Sequence, residues 1–242
     1  MLQNTQGIVL KTVKYSETSL IAKVYTEQFG IQSYMVNSVR SINARQKAAH
    51  WQSLSLLDMV VYHRQSKNIQ HIKEVKLAFL FTQLPFDAHK RSIALFLAEI
   101  LYKTLQEETP NATQFGFLWE LIRYIDTTPD SVSNISIAFL LQWTSYIGFF
   151  PQDNFFYTDR AIFDLQEGVF THRIPAHNLY LELPLSDLLH QFINTSITQS
   201  HSIHLNRNQR QLLLHALLKY YELHIENFGE SRSLPILESL FE

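Results

Sequence analysis

Ten lysines and arginines stand in the first 76 residues against four acidic residues, a net +6, while residues 77–242 carry ten against eighteen, a net −8. Lys11 and Lys14 end a β-branched run, Arg40, Arg45 and Lys47 fall in a polar interruption, and Arg64 and Lys67 flank a short connector. Cations gathered in this way neutralise phosphates, and rings beside them stack on bases at roughly 1–3 kcal/mol each. Tyr25, which shares a strand face with Lys23, and Tyr34 and Trp51, which border the polar interruption, are the stacking candidates. A single lysine of this kind is ordinary solvated surface; the set, with its imbalance, reads as a polyanion-binding module on a larger acidic body.

Patterns for turnover are absent from the chain. It has no Gly-rich phosphate loop ending in Lys-Ser/Thr, no dinucleotide fingerprint, no nucleophile elbow and no paired-histidine zincin motif. Six glycines leave little backbone for a phosphate cradle, and the absence of cysteine removes disulfides, thiol nucleophiles and thiolate zinc sites. His172 and His177, or His201 and His204, with Asp159 or Asp164, come nearest to a metal set, but loop histidines are commonly just solvated. No enzyme activity, no metal and no cofactor are therefore expected. The start Met1-Leu2-Gln3-Asn4-Thr5 lacks a basic region followed by an apolar stretch, and runs such as Ala138-Phe139-Leu140-Leu141 are too short to span a bilayer, so a cytoplasmic protein without membrane contact is expected.

The elements that must hold the basic set read as strands. Gly7–Val13 and Leu20–Thr26 alternate, the latter with Leu20, Ala22 and Val24 on one face and Lys23 and Tyr25 on the other. Phe29-Gly30 marks a turn, Ile31–Val39 resumes strand character, and Ser53–His63 and Ile69–Phe79 follow around the connector 64–68. Five short strands in under eighty residues predict a small closed barrel of the OB type, with two loops flanking an open sheet face. The period then changes to helical: Ile93, Phe96, Leu97, Ile100 and Leu101; Phe115, Leu118, Trp119, Ile122 and Ile125; Ile135–Ile147 closed by Gly148; Leu185–Ile197; Arg207–Asn227 behind an Asn206 cap; and a last turn or two from Leu234 to Phe241. The fold class is thus α+β in two domains. Residues 1–79 form the barrel, and residues 80–242 form a helical domain with an irregular segment at 149–184 that has room for a hairpin around Gln166-Glu167-Gly168.

Several stretches taken in order carry a family likeness: Gly7-Ile8-Val9-Leu10-Lys11-Thr12, Tyr15-Ser16-Glu17, Thr18-Ser19-Leu20-Ile21, Tyr25-Thr26-Glu27 and Phe29-Gly30. Leu54-Ser55-Leu56-Leu57-Asp58, Tyr146-Ile147-Gly148-Phe149, Phe163-Asp164-Leu165 with Glu167-Gly168, and Lys219-Tyr220-Tyr221 through Ser233-Leu234 continue it. In this the chain resembles the RecO family of bacterial recombination mediators over nearly its whole length. The resemblance implies an N-terminal OB barrel and a C-terminal helical domain. It implies binding and annealing of single-stranded DNA by the barrel's basic face, partnership with RecR, capture of the C-terminal tail of single-strand binding protein, and help in loading RecA at the nucleoid. The basic face maps here onto Lys11, Lys14, Arg40, Arg45, Lys47, Arg64 and Lys67. An alternative makes the molecule chiefly an adaptor for the acidic tail, for which Arg123, Arg207, Arg210 and Lys219 are the available cations.

Two departures stand out. Many members carry a four-cysteine zinc module after the Gly-Phe pattern, whereas Asp153–Thr171 has none, so Phe155, Phe156, Tyr157, Phe163 and Phe170 are expected to hold that segment by apolar contact. Asn37-Ser38 also stands where the family commonly has Lys-Gly, which takes a cation and a glycine from the mouth of the basic loop.

Overall fold

A computed structural model describes residues 1–37, 50–105, 109–155 and 161–240. They fall into two compact units, Met1–Thr128 and Pro129–Glu242.

In the first unit, β1 (Leu2–Lys14), β2 (Leu20–Thr26), β3 (Gly30–Val36), β4 (Leu56–Tyr62) and β5 (Gln70–Leu77) close into a barrel in the order β1-β2-β3-β5-β4. The first strand is long because it serves two neighbours. Leu2 to Ile8 pair antiparallel with Tyr62 to Leu56, and Gly7 to Lys14 pair with Thr26 to Leu20. The two ladders overlap at Gly7, where a Cβ would lie 2.7 Å from Val24 Cγ1 and 3.0 Å from Met59 Sδ. Only glycine lets the three strands approach that closely. Val9, Ala22, Val24, Tyr34, Leu57, Met59 and Val61 fill the interior with Trp51, as the period-2 alternation predicts.

The opposite, outward face of β1–β3 is only partly open. Two helices follow the barrel, α1 (Ala88–Thr104) and α2 (Ala112–Thr127), capped by Asp87 and Asn111. Ile8, Tyr25 and Ile31 form one outward row by register and are all buried. Tyr25 meets α2 directly: its hydroxyl donates to Gln114 Oε1 at 2.7 Å, and its ring lies 5.7 Å from that of Phe115. Strand period ends near residue 80, yet the compact unit runs on to Thr128 because these helices pack on the barrel.

A buried polar cluster fixes the connection into α1. The Asp126 carboxylate, fully enclosed near the end of α2, accepts from the backbone N–H groups of Thr82, Gln83 and Leu84 and from the Thr82 hydroxyl, at 2.7–3.1 Å. Lys90, also buried, donates from Nζ to Gln83 Oε1 and to the carbonyls of Asp126 and Thr128.

The second unit is built on α3 (Ile135–Ile147), which is buried from Ile135 through Leu141 and again at Trp143 and Thr144, and ends at Gly148 in the left-handed conformation predicted from sequence. With it are α4 (Leu185–Ile193), a 3-10 turn at Ile197–Ser202, α5 (Arg207–His224) and the short α6 (Leu234–Glu238). Asn206 caps α5 in a reciprocal box with Gln209, as its position ahead of the helix suggests. The segment 149–184 holds a three-stranded sheet, β7-β6-β8, made of β6 (Ile162–Asp164), β7 (Val169–Thr171) and β8 (Tyr180–Leu181). Its hairpin turns at Gly168 with φ +68°, where a Cβ would lie 2.6 Å from the Tyr220 hydroxyl oxygen. That hydroxyl donates to the Phe149 carbonyl at 2.7 Å, and burial pushes its pKa up to about 12, so it remains a donor at neutral pH. Phe155, Phe163 and Phe170 pack ring against ring, 4.9–5.1 Å apart, as apolar support for this segment, while Phe156 and Tyr157 lie outside the described residues.

Candidate nucleic-acid interface

The bulge between Val9 and Lys11 turns the second half of β1 so that Lys11 stands directly opposite Lys23, which in turn stands opposite Ser33. Two ammonium groups thus occupy one outward row, next to the row that α2 covers. Lys23 Nζ donates to Ser33 Oγ at 3.2 Å, and Lys11 Nζ lies 4.3 Å from the ring centroid of Tyr102 on α1. Among the described residues neither lysine is paired with a carboxylate. Like charges directly opposite in a ladder repel each other. An external anion relieves that repulsion, and the site is solvent-accessible, since Lys11 is exposed and Lys23 half-buried.

The other basic residues lie around this row. Lys14, exposed, pairs with Leu20 where β1 passes into the turn to β2. At the same end, the Ser19 hydroxyl donates to Asn37 Oδ1 at 3.2 Å, in the last described residue before the polar stretch. Arg40, Arg45 and Lys47 belong to that stretch and lie outside the described residues. Arg64 and Lys67 are exposed on the turn between β4 and β5. The buried side chain of Gln70 fixes this turn by accepting from the Arg64 N–H at 2.9 Å and donating to the Arg64 and Lys67 carbonyls at 2.8 and 2.7 Å. Gln70 pairs in parallel with Tyr34 of β3, so the turn borders the same β2–β3 face.

The three rings expected to stack on bases need correction. Tyr25, Tyr34 and Trp51 are 1%, 0% and 5% exposed and present no face to a ligand. Tyr25 points outward as its alternation predicts, but α2 covers it; Tyr34 and Trp51 fill the barrel. Desolvation holds the Tyr34 hydroxyl well above the ordinary tyrosine pKa. Among the described residues of this unit the exposed tyrosine and phenylalanine rings are Tyr15, Tyr62, Phe86 and Tyr102, and of these Tyr102 is the one set against a lysine of the row. Lys23 and Tyr102 are the residues that sequence reasoning passed over. Counting register back from the β1–β2 turn pairs Lys23 with Lys11, whereas no local signal brings α1 to β1.

A cleft of about 1020 Å³ also opens beside β4 and β5, with Glu27, Asp58, Glu74, Lys73 and Lys76 in its lining. Its cations are already matched, Lys76 to Asp58 and Lys73 to Glu74, each at 3.4 Å. Charge therefore favours the Lys11–Lys23 row for a polyanion.

The cations proposed for an acidic partner are dispersed. Arg123, on α2 of the first unit, binds Glu120 at 2.9 Å. On α5 of the second unit, Arg207 is exposed and Lys219 pairs with Glu222 at 3.0 Å. Arg210 is a correction: it is buried, donating from Nε to Asn134 Oδ1 at 3.3 Å and from Nη2 to the Leu205 carbonyl, so it holds the core together rather than meeting a partner. Its spacing with Leu213, Leu214 and Leu217 carried that signal. Of the histidines weighed for metal, His177 meets Asp164 at 3.4 Å, and Asp159 lies outside the described residues.

Residues 1–81 match the family model described as Recombination protein O N terminal, and residues 85–233 match Recombination protein O C terminal. The chain belongs to the RecO family of DNA repair proteins. It is 34% identical to the DNA repair protein RecO of Phocaeicola vulgatus and 35% identical to that of Bacteroides fragilis, each match covering 100% of both chains. It is 32% identical to that of Flavobacterium psychrophilum, with 98% of both covered. The closed five-stranded barrel followed by helices is the α+β arrangement that the RecO resemblance implied. Among the described residues no helix is long and apolar enough to cross a membrane.

Proposed function

We propose that this RecO-family protein binds and anneals single-stranded DNA on the outward face of β1–β3 and, with RecR, helps load RecA onto DNA coated by single-strand binding protein. It does so in the cytoplasm at the nucleoid, by binding and release rather than by catalytic turnover. The observation that carries the reading is the Lys11–Lys23 pair, two facing cations, one of which meets a hydroxyl and the other a ring. Arg64 and Lys67, held by Gln70 beside the same face, extend the field along a strand-shaped ligand. Binding of an unstructured deoxythymidine oligonucleotide is expected to weaken steeply with salt, with a log–log slope of roughly −0.7 for each phosphate neutralised. An affinity that stays flat between low and moderate salt would remove the proposal.

The second unit supports the adaptor role as a further part of the same function. Leu212, His215, Lys219 and Leu223 are exposed along one face of α5, with Lys219 held to Glu222 at 3.0 Å and His215 to Glu238 at 2.9 Å; the leucines suit the aromatic end of an acidic peptide, whose carboxylates would displace those of the two pairs. A titration with the C-terminal peptide of single-strand binding protein is expected to saturate and to weaken when Lys219 is replaced by Glu. Equal binding by a scrambled peptide would discard this part alone.

A further inference from the structure

The basic row continues beyond the barrel onto α1, through Tyr102. This ring stands in the last turn of α1 and is 38% exposed. Its contact is with the Lys11 ammonium, 4.3 Å from its centroid. Position is fixed from both sides. The Asp126 and Lys90 cluster sets the start of α1, and Lys11 is fixed by its ladder pairing to Lys23. Leu95, two turns earlier on the same helix face, is also exposed.

We propose that Tyr102 is the base-stacking platform of this interface and that Lys11 covers it in the free protein. The inference rests on the reading that the barrel face binds single-stranded DNA. It identifies where bases go, which the enclosed Tyr25, Tyr34 and Trp51 cannot supply. An exposed ammonium–ring contact is among the weaker interactions of its kind, and it leaves Lys11 facing Lys23. A phosphate arriving between the two lysines relieves their repulsion and draws the Lys11 ammonium toward itself. The uncovered ring then accepts the base of the same strand, and base–aromatic stacking exceeds the contact it replaces. The occupant is single-stranded nucleic acid by charge and by shape: the pair calls for an anion, and the ring for a planar group attached to it. An acidic peptide meets only the first requirement.

The test compares a deoxythymidine oligonucleotide with an abasic one of equal length, which keeps the phosphates and lacks the bases. For Tyr102→Leu, affinity for the first is expected to fall roughly 5- to 150-fold, with little change for the second and no change in salt slope. Tyr102→Phe should retain wild-type affinity. Lys11→Gln should weaken both oligonucleotides and shrink the slope by roughly 0.7. A photocrosslink from an iododeoxyuridine-containing strand is expected at Tyr102 in the unaltered protein, a readout independent of whether any variant folds. Equal losses by Tyr102→Leu on both oligonucleotides, no loss on either, or a crosslink confined to other residues would overturn the platform while leaving DNA binding by the barrel standing. A wild-type protein that binds neither oligonucleotide overturns both.

Discussion

Asp126→Ala is expected to lower the stability of the protein by roughly 3–5 kcal/mol at pH 7, read as a shift in the urea midpoint. The carboxylate is fully enclosed and satisfies three successive backbone N–H groups and a hydroxyl. Alanine strands the Leu84 N–H in a buried place and leaves the Thr82 and Gln83 donors partly enclosed, and an orphaned buried donor costs about 1–3 kcal/mol. Asp126→Asn keeps one acceptor oxygen and is expected to lose less. The same carboxylate gives the protein an acid limb. Burial by itself raises its pKa, but the donors from Leu84, Thr82 and Gln83 outweigh burial and leave it below the usual carboxylate value. A depressed folded pKa stabilises above the unfolded value of about 3.9, and the benefit drains away as pH falls toward the folded one. The gap between wild type and Asp126→Ala should therefore be full at neutral pH and narrow below about pH 4. A gap that is constant with pH would show that packing, not charge, carries the effect.

The second large effect concerns binding. Lys11→Glu combined with Lys23→Glu is expected to reduce affinity for single-stranded DNA at low salt by about 100-fold or more, since two attractions become two repulsions. Fold stability should barely change, because one facing pair of like charges replaces another. Lys23→Glu alone separates the two properties further. It places opposite charges across the ladder from Lys11, which should stabilise the barrel by about 0.2–1 kcal/mol while still weakening DNA. A protein made more stable and less able to bind is the signature of residues placed for a ligand. If affinity followed stability in both variants, the row would be ordinary surface.

Much of this architecture is legible along the chain. The alternation at Leu20–Thr26 put Lys23 and Tyr25 outward and Ala22 and Val24 inward, and the barrel keeps them so. Gly148, Asn206 and the turn at Gly168 sit where their backbone chemistry placed them. What local patterns do not carry is what lies above a face. Tyr25 is outward yet enclosed, because Gln114 and Phe115, some ninety residues later, cover it. Tyr102 is placed beside Lys11 by the same docking of helices on the barrel. Tyr34 differs, since it fills the barrel itself, with Val36 packed against the same cluster. Its place beside the polar stretch suggested a binding ring, whereas the barrel uses it as a filler.

Among the described residues β3 and β5 join at Tyr34–Gln70 and Met35–His71 alone, the slenderest seam of the barrel. In the language of amide exchange, closure is uneven: fluctuations concentrate where few ladder bonds resist them. The turn that carries Arg64 and Lys67 hangs on one side of this seam, and the β2–β3 face lies on the other. A nucleic-acid strand gripped by both would span it like a strut, so occupancy and rigidity would rise together. Protection at the seam would then report how much of the strand is bound.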